Sequence, residues 1–212
     1  MEEKGIIRVK DLTFDKVKDS IIYVLTRKNE ELASCVPYVN YLDLMIVFYC
    51  RKNESEYFPI NNELATIMNV DTDDLMLVAM ENTSRLMGYK VQGILSVIED
   101  CCGYEMFDFN AIDEEIPLYV VTNSIFYNGA CVMLYNGFMK ALAKKLDGNL
   151  YIIPSSLHEI IVVKDLGDGE LEADRLKEMI CHVNQTELRP EDKLSDSLYY
   201  YDRETDKITI VE

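Results

Sequence analysis

The chain has 212 residues and a formal net charge of −17 at pH 7; 49% of its residues are hydrophobic and 28% are charged. This length predicts one large domain or two small ones that bury about 70% of the unfolded surface. The composition is that of a folded globular protein and excludes a disordered acidic tail. The amino end lacks the features of a signal peptide, and the longest apolar run, residues 44–50, is far shorter than the roughly 20 residues that span a bilayer. We therefore expect a soluble, cytoplasmic protein.

Negative charge is concentrated in one part of the sequence. Residues 53–116 contain fourteen carboxylates and only Arg85 and Lys90 as cations, a net charge of −12. The field of such a region extends about one Debye length, roughly 8 Å, into physiological salt, where it repels phosphate backbones and attracts basic protein surfaces. We expect these carboxylates to share one exposed face. The residues predicted to bind a partner there are Glu63, Asp71, Asp73, Asp74, Glu99, Asp100, Asp108, Asp113, Glu114 and Glu115.

Two elements are predicted near the amino end. Apolar residues recur at helical spacing within residues 14–31, which predicts an amphipathic helix there. Pro37 stops the chain soon after this segment. Residues 38–50 are rich in aromatic and β-branched side chains and predict one long strand.

Capping residues then mark two helices. Asn61 or Asn62 is expected to cap the first, and Asp71 with Asp74 forms the start of the second, because side-chain oxygens at these positions accept the unpaired N–H groups of a first turn. Gly88 is the expected stop of the second helix. The two predicted helices cover residues 63–68 and 75–87.

Residues 91–115 indicate a turn-rich connector that contains a short apolar element at residues 94–98. Pro117 ends this connector, and we place a domain boundary there. The predicted units are an acidic mixed α/β part, residues 1–116, and an antiparallel α+β part, residues 117–212, unless the two form one continuous domain.

The second part is predicted as three hairpins separated by two helices. Its first hairpin joins strands at residues 118–122 and 130–135 through Asn128-Gly129, the strongest short-range hairpin signal. The other predicted strands cover residues 150–153, 157–163, 198–201 and 208–211, and the helices cover residues 138–146 and 171–183. Strands joined by short loops pair antiparallel, so the order ββ-α-ββ-α-ββ predicts an α+β fold with the helices packed on one face of the sheet.

Ser156 and His158 are the candidate catalytic residues. On a strand they point to the same face, which makes a nucleophile–base pair conceivable. However, the sequence has no G-x-S-x-G elbow and no recognisable oxyanion loop, and neighbouring side chains of one strand seldom reach the ~3 Å that proton transfer needs. We therefore expect both residues to order the turn after Pro154.

Metal and cofactor motifs are absent from the sequence. Position 162 is valine, so His158-Glu159 does not begin an H-E-x-x-H motif, and His182 is the only other histidine. The six cysteines form no C-x-x-C pair, and we interpret them as buried, reduced thiols. No phosphate-binding loop or dinucleotide fingerprint occurs. We expect no metal, no cofactor and no direct contact with nucleic acid.

Several segments of the chain resemble those of one protein family. They are Ile21-Ile-Tyr-Val-Leu, Asn29-Glu-Glu-Leu, Val36-Pro-Tyr, Tyr41-Leu-Asp-Leu, Val47-Phe-Tyr, Asn61-Asn-Glu-Leu, Asp74-Leu, Ala79-Met-Glu-Asn-Thr, Tyr119-Val-Val-Thr-Asn, Asn128-Gly-Ala, Tyr151-Ile-Ile-Pro-Ser-Ser-Leu-His-Glu and Leu194-Ser-Asp. From about residue 14 onward, the chain resembles an uncharacterised domain-of-unknown-function family of anaerobic, largely gut-type Firmicutes. The resemblance implies no established activity, and it implies that longer relatives carry a further amino-terminal region. It also implies mobile-element and prophage neighbourhoods, where small acidic proteins often inhibit host defence enzymes.

Three functions are consistent with these observations. We favour a non-enzymatic acidic module that binds a protein with a basic surface, such as an inhibitor of a nucleic-acid-handling enzyme of the anti-CRISPR or nucleic-acid-mimic type. The first alternative is a host cytosolic protein whose acidity only confers solubility. The second is an unrecognised hydrolase that uses Ser156 and His158.

Overall fold

The computed structural model describes residues 12–53, 56–94, 117–154, 156–167, 170–186 and 188–212, except for the side chains of residues 170–172. Its helices and antiparallel sheets confirm the predicted α+β class. Within these ranges, no helix is both long and apolar enough to cross a membrane.

The bounds of the elements are as follows. The strands are β1 (Ile21–Arg27), β2 (Tyr38–Tyr41), β3 (Leu44–Arg51), β4 (Tyr57–Pro59), β5 (Lys90–Gly93), β6 (Leu118–Thr122), β7 (Leu150–Ile153), β8 (Glu159–Lys164), β9 (Tyr199–Asp202) and β10 (Lys207–Ile210). The α-helices are α1 (Phe14–Val17), α2 (Glu30–Cys35), α3 (Asn62–Met68), α4 (Thr72–Met87), α5 (Phe138–Leu146) and α6 (Glu170–Thr186). Two 3₁₀ helices are also described, Lys18–Ser20 and Gly129–Leu134, and we call the second one the central 3₁₀ helix.

The first sheet is built around β3. This strand pairs antiparallel with β1 along one side. Along its other side, β2 pairs with residues 44–47 and β4 pairs with residues 49–51. One face of the sheet packs into the main hydrophobic core, whereas α2 packs on the other face against Val24 and Met45. Both long strands are therefore buried on both faces.

The helix predicted over residues 14–31 is wrong. Only Phe14–Val17 is α-helical there, and a strand begins at Ile21. Residues 21–25 are all buried, because one face of β1 meets the core and the other meets α2. An apolar residue at every position satisfies a helical period as well as an alternating one, so periodicity alone cannot separate the two.

The single long strand predicted over residues 38–50 is also wrong. The segment forms the β2–β3 hairpin, which pairs Tyr41 with Leu44 and turns at Leu42 and Asp43. Leu42 adopts a left-handed conformation with φ of 51°. A leucine in this region has no sequence signature, because glycine, asparagine and aspartate are the residues that normally adopt it.

The predicted caps of α3 and α4 are confirmed. Asn61 Oδ1 accepts a hydrogen bond from the Leu64 N–H at 2.8 Å. Asp71 and Asp74 form a reciprocal capping box, with N–H to carboxylate distances of 2.9 and 3.2 Å. Gly88 follows α4 with φ of 59°, as its predicted role as the helix stop requires.

Polar side chains of α4 cover the open edge of β1. Thr83 Oγ1 accepts the Tyr23 N–H at 3.0 Å, and Asn82 Nδ2 donates to the carbonyl oxygens of Lys18 and Ile21 at 2.6 and 3.0 Å. The side chains of Asn82 and Thr83 are both buried. Unpaired backbone groups on an edge strand invite pairing with another chain, so these contacts close the sheet on that side.

The second sheet has six antiparallel strands in the order β10-β9-β7-β8-β6-β5. The central 3₁₀ helix and α5 pack on one face of it, whereas Ala173, Leu176 and Ile180 of α6 pack on the other. The prediction that the helices lie on one face is therefore wrong. The physical reason is visible in β7, whose residues are all buried and therefore need cover on both sides.

The strand predicted over residues 130–135, and with it the hairpin at Asn128-Gly129, is wrong. These residues form the central 3₁₀ helix, in which residues 129–133 are buried. The helix packs against β1 of the first sheet and against β6 and β8 of the second. Asn128 does turn the chain, with φ of 53°, but a 3₁₀ helix follows it instead of a strand. The predicted order ββ-α-ββ-α-ββ therefore lacks its second strand, while the other five strands and both helices are present.

The predicted boundary at Pro117 separates elements that are in contact. β5, from the first predicted part, pairs with β6 from the second. The main hydrophobic core also contains residues from both parts. The division into residues 1–116 and 117–212 stays a prediction.

The described cysteines are free thiols, two of them buried and two exposed. Cys50 and Cys131 are buried, whereas Cys35 and Cys181 are exposed. Burial raises the pKa of Cys131 to about 12, so this thiol remains protonated and unreactive at neutral pH. The interpretation of the cysteines as buried thiols thus applies to only two of these four.

Asp43 links the β2–β3 turn to the segment that leads into β9. Its carboxylate accepts hydrogen bonds from Ser195 Oγ at 2.6 Å, from Ser197 Oγ at 3.1 Å and from the Tyr199 hydroxyl. Burial acts to raise the pKa of Asp43, but the three hydrogen bonds outweigh it and hold the pKa below the usual value of 3.8. The charged carboxylate therefore stabilises the folded state.

We predict that Gly129→Ala severely destabilises the protein. A Cβ at Gly129 would overlap Thr122 Oγ1 and the His158 carbonyl oxygen and lie 2.7 Å from the Asn123 nitrogen. We expect a loss of about 3 kcal/mol or more in the free energy of unfolding, measured by denaturant titration. Gly137→Ala is the matched control. No atom lies within 4 Å of that Cβ, so only the strain of its φ of 71° is expected, about 1–2 kcal/mol. Equal losses in the two variants would contradict the packing argument.

We also predict that Asp43→Ala lowers the free energy of unfolding by about 3 kcal/mol, because it leaves the buried hydroxyls of Ser195 and Tyr199 without their acceptor. A carboxylate whose pKa is lowered by folding stabilises the protein above its unfolded pKa, and this contribution disappears as the pH falls through the folded pKa. The free energy of unfolding of the wild type should therefore lose the Asp43 contribution as the pH falls below about 3.8. The variant lacks this carboxylate and should not show that loss. Unfolding titrations at several pH values, with exposed Asp174→Ala as the control, measure the difference. Parallel pH profiles for wild type and variant would contradict the linkage.

Candidate functional site

Four of the ten carboxylates predicted to bind a partner lie in the described residues. Glu63 is in the first turn of α3, and Asp71, Asp73 and Asp74 lie at the start of α4; all four are exposed. The others fall outside the described residues: Glu99, Asp100, Asp108, Asp113, Glu114 and Glu115. The single acidic face formed by all ten stays a prediction.

The four described carboxylates complement the helix dipoles at the starts of α3 and α4. Asp71 and Asp74 also cap α4. Among the ion pairs of the described residues, none joins any of the four to a lysine or arginine. Within the described part of the chain, their negative charge is therefore not paired with a cation and is available to a partner.

An exposed leucine lies among the carboxylates of α4. The side chain of Leu77 is 74% exposed, and Met80, one turn further along, is 44% exposed. Residues three and four positions apart are neighbours on a helix surface, so Asp73 and Asp74 flank Leu77 on one side and Met80 and Glu81 flank it on the other. We call these five residues the α4 surface. It combines an apolar centre with three exposed carboxylates.

A second site is a pocket between the first sheet and the loop that follows β6. It has a volume of about 380 Å³, within the range of small-molecule sites. Its apolar lining includes Ile22, Val24 and Met87, and its aromatic lining consists of Tyr49, Tyr57 and Tyr127. We call it the tyrosine pocket. The rings of Tyr57 and Tyr127 are stacked, with centroids 6.4 Å apart and an angle of 29° between their planes.

A fixed loop, residues 123–128, supplies one side of the tyrosine pocket, and we call it the pocket loop. The buried Asn123 organises it, because its Oδ1 accepts the N–H groups of Ile125 and Tyr127 at 3.1 and 3.3 Å while its Nδ2 donates to the Tyr127 carbonyl at 2.7 Å. Within this loop Phe126 is left-handed, with φ of 56°, and 56% exposed. An aromatic residue in that conformation is strained by roughly 1–2 kcal/mol and is held there by the surrounding hydrogen bonds.

Ser156 and His158 do not form a nucleophile–base pair in this geometry. Ser156 Oγ accepts the backbone N–H of His158 at 3.0 Å. The His158 ring has other partners: Nδ1 accepts the Asn128 N–H at 3.3 Å, and Nε2 lies 3.2 Å from Asp192 Oδ1. The ring also packs against Tyr127, with centroids 5.2 Å apart and an angle of 34° between the planes. Because both ring nitrogens bind other groups, neither is directed at Ser156 Oγ.

His158 instead connects three parts of the structure. It joins the turn after β7 to the pocket loop through Asn128 and Tyr127, and to the segment before β9 through Asp192. Among the described residues, no group of three or more His, Cys, Asp or Glu side chains is arranged to hold a metal ion.

The sequence analysis missed both the α4 surface and the tyrosine pocket. An apolar residue flanked by Asp73, Asp74 and Glu81 could have been recognised by placing α4 on a helical wheel, since it falls opposite the apolar stripe. The pocket has no comparable signal. Its tyrosines come from β3, β4 and the loop after β6, which are brought together only by the packing of the first sheet against that loop.

Comparison with known proteins yields one family. The model of a family described as "Family of unknown function (DUF5688)" matches residues 2–203. No curated protein and no solved structure gives a match.

We predict that His158 is a structural residue. His158→Ala removes the acceptor of the Asn128 N–H and the partner of Asp192, and we expect it to lower the free energy of unfolding by about 1–3 kcal/mol. His182→Ala, on the exposed face of α6, is the control and should change stability by less than about 0.5 kcal/mol. Chemical denaturation of the two variants measures both values. A fully stable His158→Ala protein would show that these contacts contribute nothing to the fold.

Proposed function

Because the chain belongs to the DUF5688 family, whose function is unknown, we propose a function from its own surface: it is a non-enzymatic module that binds a basic partner protein through the α4 surface. The observation that carries this proposal is the exposure of Leu77 among Asp73, Asp74 and Glu81. Binding interfaces commonly place an apolar anchor at the centre and charged groups at the rim.

The apolar part of the α4 surface would supply affinity. Leu77 and Met80 leave a large part of their side chains in water. Covering a leucine side chain contributes about 1.5–3 kcal/mol, a useful share of the binding energy of one interface. Methionine adapts its shape to different partner surfaces, because its side chain is unbranched and flexible. These residues therefore support binding and not only solubility.

The charged part would select the partner. Asp73, Asp74 and Glu81 form no ion pair with a lysine or arginine among the described residues, and the whole chain has a net charge of −17. A negative field of this kind steers a basic protein surface toward the site and repels nucleic acid. The phosphate-binding channel of a nucleic-acid-handling enzyme is one basic surface that such a negative field would attract.

We also propose a more specific function, which names the partner class and the mode of action. The protein acts in the cytoplasm as an inhibitor that occupies the nucleic-acid channel of such an enzyme, of which a CRISPR effector is one example. The gut Firmicutes and mobile-element setting implied by the family resemblance belongs to this more specific proposal.

The test compares two triple variants with the same change of charge. Asp73→Lys, Leu77→Ala and Glu81→Lys together alter the α4 surface without touching the capping box of Asp71 and Asp74. The matched control alters another exposed region, with Asp174→Lys, Leu166→Ala and Glu178→Lys. Immobilised wild type and variants are exposed to a bacterial lysate, and the recovered proteins are identified by mass spectrometry. Circular dichroism confirms that each variant is folded.

We expect the α4 variant to lose a basic protein that the wild type and the control retain. With that partner purified, the α4 variant should bind at least about tenfold more weakly than the control variant. Raising the salt to about 0.5 M, where the Debye length is roughly 4 Å, should weaken the wild-type complex. The partner should also release bound nucleic acid when the wild type is added. Equal recovery by both variants would reject the α4 surface and favour acidity that serves only solubility.

A further inference from the structure

We propose that the tyrosine pocket binds an uncharged, planar aromatic or heteroaromatic compound, independently of the α4 surface. The pocket has an apolar base of Ile22, Val24 and Met87 together with three tyrosine rings. Flat aromatic rings bury their faces well against such a lining, and aromatic pairs contribute about 0.5–1.5 kcal/mol beyond the area that they bury. A volume of about 380 Å³ suits a small molecule and not a folded partner.

Three polar groups of the lining are available to orient such a compound. The hydroxyls of Tyr49 and Tyr127 and the side-chain amide of Asn128 form no hydrogen bond with another described residue. Burial, and secondarily the neighbouring Tyr127, raises the pKa of Tyr49, so its hydroxyl remains a donor at neutral pH. Few polar groups within an apolar lining are the usual arrangement of sites that recognise the edge of a ring compound.

The charges around the pocket exclude an ionic ligand. Among the described residues, no acidic or basic side chain belongs to its lining. Two cations on flanking elements are already engaged: Arg51 donates to the carbonyl oxygens of Leu86 and Asn53 at 2.8 and 3.2 Å, and the Lys90 ammonium lies 4.8 Å from the centroid of the Phe126 ring. An anion would find no counter-ion in the lining, and a cation would find no carboxylate there. An uncharged compound avoids this cost of desolvation.

The pocket loop is fixed before any ligand arrives. Asn123 binds the loop at three backbone groups, and His158 binds it through the Asn128 N–H and the Tyr127 ring. The strained φ of Phe126 persists because these contacts determine the loop conformation. A lining that is already ordered loses little conformational entropy on binding, which favours affinity for a small compound.

Indole is a suitable probe because the chain contains no tryptophan. Its fluorescence can be excited where tyrosine does not absorb, and its emission then reports only on the bound compound. The full chain is titrated against indole, and against indole-3-acetate and tryptamine as negatively and positively charged analogues of the same ring. We expect saturable binding of indole and binding of both charged analogues that is weaker by at least about fivefold.

Four variants locate the bound probe. Tyr127→Ala removes a ring and should weaken binding by at least about tenfold. Tyr49→Phe removes only a hydroxyl, and Asn128→Gly removes only the amide while allowing the left-handed backbone; each should weaken binding by about threefold or more. Tyr38→Ala, on β2 and outside the pocket, is the control and should bind as the wild type does.

The two conservative variants keep the test decisive if Tyr127→Ala does not fold. Retained affinity in both Tyr49→Phe and Asn128→Gly would overturn the proposed orientation of the ligand by these groups. Non-saturable indole binding, or tighter binding of either charged analogue, would overturn the proposal itself. Saturable indole binding that is weakened by the pocket variants and unchanged in Tyr38→Ala is the result that supports it.

Discussion

Because Gly129 has no side chain, the central 3₁₀ helix can begin in direct contact with the backbone of the second sheet. The backbone there lies against Thr122 Oγ1, the His158 carbonyl oxygen and the Asn123 nitrogen, with no room for a Cβ. This close approach lets the central 3₁₀ helix, Gly129–Leu134, enter the core between β1 of the first sheet and β6 and β8 of the second. Because protein interiors are close-packed, a methyl group at position 129 would push the helix away from the strands that it now contacts.

Helix α4 covers the free edge of β1 with one face and carries the proposed interface on the other. Its inner face contributes Asn82 and Thr83, which satisfy backbone groups along the free edge of β1. Its outer face carries Leu77, which lies in water among carboxylates. The inner contacts hold the helix rigidly, and a rigid helix presents its outer side chains to a partner with little loss of conformational entropy. The inner face thus adds these two polar side chains to the buried Leu75, Ala79 and Met87, whereas the outer face carries an apolar residue among carboxylates.

The tyrosine pocket depends on the same packing as the central 3₁₀ helix. The loop that supplies Tyr127 and Asn128 ends where that helix begins, and His158, whose carbonyl oxygen lies against Gly129, also accepts the Asn128 N–H. The shape of the pocket therefore follows from this core contact together with the hydrogen bonds of Asn123 within the loop. Ser156 and His158, which resemble a catalytic pair in the sequence, serve this arrangement through their hydrogen bonds.

The features that could be predicted from the amino-acid sequence are those whose interactions join residues only a few positions apart. The caps of α3 and α4 are examples, because Asn61 and Asp71 bind N–H groups three positions away. The α+β class and the pairing of β9 with β10 are similarly local, since short loops force neighbouring strands to pair antiparallel. The strand at residues 21–27 and the 3₁₀ helix at residues 129–134 could not be predicted in this way. Residues 21–25 and 130–134 are apolar at every position, so their conformation depends on which surfaces cover them. The tyrosine pocket could not be predicted either, because segments distant in sequence form it and no local interaction sets the distance between them.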